Sequence, residues 1–393
     1  MSRSLRSQVA AVGIAASTIV LAAGCSGLVG ASTQAEVEPA PAPPSISQEV
    51  IGQTPWPVKT RYVVDLWLHG YAMLVADTSR TPIFRRDYRD AMIVAKNSRN
   101  ILTQLDQNAE MLQHGLRVNP RLIDGARLAL REGSWEEMGN DIAAFLTGGS
   151  DSSTGKKRPS ALSTWKRTPH ASEETTDMSA ALGAIYRSEA DREWLKVFAL
   201  SLTDEHSKFY EQYWREQQRA LRPALAAVDT QFSQRYLKQL RSYLRGVQLQ
   251  TGEIVLSLPL GGEGQNILQG QHSIAIGFPD VPDSSIEAVY EFAHEVVGGV
   301  AEQAVRERIS PAEFRAGVGA PLVSPAKVRG GAMLLQRTIP ELVNGYERHY
   351  LAIAHVPASG ADIDSVFVHT FPLRQSIIDG MDQRLDEVLK AAD

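Results

Sequence analysis

Residues 247–260 read VQLQTGEIVLSLPL, and here the apolar spacing of the chain changes. Upstream, apolar residues recur every three to four positions, as a helix facing a core requires. Here they alternate with polar ones and many are β-branched, as a strand requires. SIAIGF at 273–278 repeats the pattern, and GGEGQ at 261–265 between them reads as a turn or flexible loop. That loop lacks the spacing and the Lys-Ser/Thr of a phosphate-binding loop, so it carries no nucleotide signal. Two strands ahead of a helix, among long helical stretches, predict an α+β fold, predominantly helical with a small antiparallel sheet.

The helix that follows is SSIEAVYEFAHEVVGGVAEQAVRERIS, residues 284–310. Ser284 and Glu287 have the spacing of a capping box. Ile286, Val289, Tyr290, Ala293, Val297, Val300 and Ala304 form an apolar stripe with His294 at its edge. Glu291, Glu295, Gly298 and Glu302 occupy the other side. His294-Glu295 matches the first half of H-E-x-x-H, in which two histidines one turn apart bind zinc and the glutamate activates a zinc-bound water. Gly298 stands where the second histidine would be. The Gly298–Gly299 pair costs about 1 kcal/mol per residue inside a helix, so it is expected to serve close packing or open space.

Strands, a turn and an HE-bearing helix resemble the core of zincin metallopeptidases, over roughly residues 247–354. In the gluzincin branch a glutamate on a later helix completes the zinc site. The resemblance therefore implies zinc held by His294 with Glu341 or Glu347, His349 as a further ligand, and Glu295 as general base. It equally accommodates a zincin-like domain that has lost its metal and binds a peptide or envelope component, the leading expectation. A zinc-dependent peptidase and a purely helical interaction module are the alternatives.

At the N-terminus, Arg3 and Arg6 precede an uncharged stretch from Val9 to Ala23, which has the length of a signal peptide core. It ends in LAAGC at 21–25, and Cys25 is the sole cysteine. This resembles the lipobox of bacterial lipoproteins, with Ala22 at the position three before the cysteine. The resemblance implies acylation of Cys25, and hence a lipid anchor in an extracytoplasmic membrane or envelope location. With one cysteine no internal disulfide can form, so stability must come from core burial. Loss of residues 1–24 removes two arginines and no acid, leaving 38 basic against 45 acidic residues, net −7. That balance disfavours nucleic acid as a partner.

Composition divides the chain into a signal peptide (1–24), a Pro/Ala-rich tether (25–57), a helical region (58–147), a polar loop or linker (148–177) and an α+β region (178–393). Asp65 and His69 lie one helical turn apart and could meet on one face. The acids and aromatics of TDEHSKFYEQYWREQQ, 203–218, read as a helix with charged flanks around aromatic anchors. There is no G-x-S-x-G elbow, so serine hydrolase chemistry has no support.

Overall fold

Val58–Lys59 (β1), Glu253–Ser257 (β2), Gln265–Ile267 (β3) and Ser273–Gly277 (β4) form one sheet in the order β1-β2-β4-β3. The computed structural model describes residues 54–148, 173–268, 272–357 and 362–391. All lie within Ile46–Asp393, one compact unit. Cys25, the signal segment, the tether up to residue 53 and most of the polar stretch, residues 149–172, lie outside the described residues.

The fold is α+β and predominantly helical, with the sheet directly ahead of the HE-bearing helix. The pairing differs from the expected antiparallel arrangement: β1, β2 and β4 run parallel, and only β3 is antiparallel to its neighbour. Every residue of β2 and β4 is buried, which suits near-continuous apolar strands covered on both faces. Gly261–Gly264 form the expected loop, and β3 starts at its last residue, Gln265, as an edge of the sheet.

The helices of the first half are Tyr62–Leu74 (α1), Tyr88–Ser98 (α2), Gln104–Gln107 (α3), Ala109–Val118 (α4) and Trp135–Gly148 (α5). Glu173–Ile185 (α6) follows, then Glu189–Glu205 (α7), Glu211–Asp229 (α8) and Leu237–Gly246 (α9), the last three joined through π-helical turns. α1 is buried along its whole length. β1 pairs with β2 across 196 positions (Val58 with Ile254), and one apolar core runs from Trp56 to Leu385. The two helical regions distinguished by composition therefore share a core.

The second half packs Glu287–Val296 (α10) against β4, followed by Gly298–Arg308 (α11), Pro311–Arg315 (α12), Ala320–Thr338 (α13), Val343–Ile353 (α14), Ile363–Thr370 (α15) and Gln375–Lys390 (α16). The HE helix begins later than the capping box implied. Pro282–Ser284 is a 3-10 turn in which the Ser284 hydroxyl donates to the Val281 carbonyl. The helix also breaks at Val297, and α11 restarts at Gly298. All of α10 from Ala288 to Val296 is buried, so Glu291 and Glu295 do not face water.

Candidate functional site

α10 lies between the sheet and the helices α13 and α14, and that position places His294 and Glu295 inside the molecule, both with no exposed surface. A buried carboxylate must be paired or hydrogen-bonded. Glu295 accepts the Gly264 backbone N–H at 2.9 Å and the Asn266 side-chain amide at 2.5 Å, both from the β3 segment. The approach is close enough that a Cβ on Gly264 would sit 2.6 Å from the Ala275 carbonyl and 2.8 Å from Glu295 Cγ.

The carboxylate beside His294 is Glu263, one residue earlier in the same loop, with His294 Nε2 at 3.1 Å from Glu263 Oε2. Because its partner accepts only, Nε2 is the donor of this bond. Tyr350 stacks on the imidazole, with ring centroids 5.1 Å apart. On its other oxygen Glu263 accepts from Ser324 at 2.6 Å and Thr81 at 3.2 Å. Burial opposes ionisation of Glu263, but His294 and Lys327 outweigh it and hold the carboxyl well below its ordinary range.

Lys327, delivered by α13, joins the two carboxylates. Its Nζ lies 2.9 Å from Glu263 Oε2 and 3.3 Å from Glu295 Oε1. Burial would favour the neutral amine, yet the two carboxylates overcome this and raise its proton affinity. The lysine stem passes Gly298, where an added Cβ would stand 3.1 Å from Lys327 Cε. Gly298 therefore serves space, and Lys327 fills it. Gly299 meets nothing within 4 Å.

Glu263, His294 and Glu295 each offer a donor atom within 4.8 Å of the others, the one such group of three among the described residues. The donor set does not fit a zinc site. It holds one imidazole where zinc favours several nitrogen or sulfur ligands. Its carboxylates are already saturated by donors, and an ammonium occupies the space between them.

Glu341 and Glu347 do not join this group. Glu341 is exposed in a 3-10 turn, and Glu347 is buried beside Arg329 and Asp364, its carboxyl pushed up to about 6 chiefly by burial. The side of α14 nearest α10 instead carries His349, whose Nε2 stands 3.7 Å from Glu291 Oε1. Burial and the neighbouring His294 push His349 down to about 3. Burial pushes Glu291 up to about 8, against the one backbone N–H it accepts, from Gly277.

Asp65 and His69 have different partners. Asp65 accepts from Ser257 and Trp214, each at 2.6 Å, and from the Leu258 N–H at 3.0 Å. His69 reaches Glu205 at 3.0 Å and Tyr88 at 3.0 Å, and stacks on Tyr210. Glu205 is bound in turn by Lys96 at 2.8 Å and by Thr103. This second network is fully buried and mutually satisfied, so it joins α1, α2, α3 and α7 as a structural element.

Sequence reasoning missed Glu263 and Lys327, and it read Glu205 among the charged flanks of 203–218, whereas Glu205 is buried. An acid between glycines was the available signal for Glu263; Lys327 has none, because burial alone distinguishes it. No family model matches the chain, and no curated protein or solved structure matches it.

Proposed function

We propose that the chain is an exported lipoprotein, acylated at Cys25, whose folded unit is a non-catalytic relative of the gluzincin metallopeptidases and holds a peptide or envelope component. The observation that carries this reading is the position of the Lys327 ammonium between Glu263 and Glu295. Where the resemblance implies a second histidine, Gly298 leaves room for the lysine stem. Where it implies a ligand carboxylate on a later helix, α13 contributes a cation instead. A divalent metal would have to displace that ammonium, leaving a buried charge without its partners, which is strongly unfavourable. The edge strand β3 borders the cluster and supports the binding half of the reading, since an edge can accept an extended peptide as a further strand.

A zinc-dependent peptidase is the second reading, favoured by the convergence of three donors within 4.8 Å. It requires Lys327 to leave the cluster, with Glu295 then free to act as base. Incubation of the unit with a mixture of unstructured peptides, with zinc added, separates the two. Retention of intact peptides, captured by a photoreactive group at Gln265, is expected. Cleavage that disappears in Glu295→Gln would establish the peptidase.

A further inference from the structure

The sequence around α9 inverts the charge balance of the chain. From Thr230 to Gly252 there is no Asp or Glu, in a chain with 45 acidic and 40 basic residues. Arg235, Lys238, Arg241 and Arg245 fall in this stretch and all are exposed. The helix turns Leu237, Leu240, Tyr243 and Leu244 into the core, and the residues left facing solvent beside the cations include Gln234 and Gln239. The exposed side is thus basic and uncharged-polar only.

This face also lies where the chain enters the fold. A cavity of about 150 Å³ is lined by Pro55, Trp56, Leu237, Arg241 and Leu244, among others. Thr54, the first described residue, directly precedes that wall, so the chain leading back to Cys25 leaves beside the cations. An anionic membrane surface attracts clustered positive charge held at an exposed face, and Arg235, Lys238, Arg241 and Arg245 supply it here.

We propose that this face of α9 binds the headgroups of anionic phospholipids, so that the unit lies against the membrane instead of standing off it at the end of its tether. The orientation rests on the reading of Cys25 as the anchor; the affinity of α9 for anionic lipid does not. Each Lys or Arg close to an anionic leaflet adds to binding, and salt weakens the sum.

The test uses Ile46–Asp393, which lacks Cys25 and has its own core, in sedimentation with vesicles. Binding to phosphatidylglycerol vesicles, little to phosphatidylcholine vesicles and release by salt are expected. Lys238→Glu combined with Arg241→Glu should weaken binding by about thirtyfold or more. Arg121→Glu with Arg127→Glu makes the same charge change on another exposed surface and should leave binding within a few-fold. All four positions are exposed, and unchanged thermal midpoints verify folding of both variants. No binding, equal binding to both vesicle types, or equal losses in the two variants would overturn the proposal. Acylation is read separately, as the mass of the whole chain extracted from membranes; an unmodified Cys25 would remove the anchor and leave the vesicle result standing.

Discussion

Glu291 and Glu295 lie about one turn apart on α10, both buried, and differ in what offsets burial. Glu295 accepts a backbone N–H, an amide and an ammonium, whereas Glu291 accepts one backbone N–H and faces a neutral imidazole. The outcome for Glu291 is a carboxyl pushed from 4.5 up to about 8. A value raised in the folded state means that the fold holds this proton more tightly than the unfolded chain does. Its stabilisation is complete below pH 4.5 and is lost as the pH rises through about 8. Each tenfold difference in proton affinity corresponds to about 1.4 kcal/mol. Glu291→Gln cannot ionise, so wild type should lose stability relative to this variant across that window. Denaturant unfolding at a series of pH values measures it, and parallel curves for the two proteins would contradict the assignment. His349 acts at the other end of the scale: its lowered value makes its contribution present above 6.5 and lost as the pH falls towards 3.

At the scale of elements, β3 and α10 depend on one glycine. Gly264 lets the edge strand come down onto Glu295, and a methyl group there would collide with backbone at 2.6 Å as well as with the carboxylate stem. Gly264→Ala is expected to cost about 1–3 kcal/mol, the usual range for overpacking a tight site. Gly299→Ala, which meets nothing, should be neutral or slightly stabilising through helix propensity. Equal midpoints for wild type and Gly264→Ala in thermal unfolding would show that the strand does not seat on Glu295. The same contrast explains what the sequence made legible. β2 and β4 were readable because buried parallel strands are runs of β-branched residues. β3 was not, because Gln265–Ile267 offers three residues in a glycine-rich context and owes its pairing to β4. Parallel order was equally hidden: β2 and β4 run the same way because the chain between them returns through β3 at the edge, and β1, two residues long, joins from far away in the chain.

Over the whole molecule, helical periodicity and the strand signal sufficed for the fold class, and the HE pair marked the helix at the centre of the candidate site. The rest of that site comes from contacts distant in sequence. Glu263 meets Glu295's neighbour His294 across 31 positions, and Lys327 meets Glu263 across 64. Spacing rules describe partners within one element; Glu341 and Glu347 came from the gluzincin resemblance, which places a glutamate on a later helix and has no position for a lysine. Among the described residues no helix is long and apolar enough to cross a membrane.

Lys327 serves as the cation of the Glu263–His294–Glu295 cluster. Metal content of Ile46–Asp393, prepared without a His-tag and equilibrated with zinc, tests it most directly when measured by mass spectrometry beside His294→Ala. Substoichiometric zinc, equal in the two proteins, is the result expected of a cluster neutralised by its own lysine. Near-stoichiometric zinc in the wild type that disappears in His294→Ala would contradict it, and would make the cluster a metal centre.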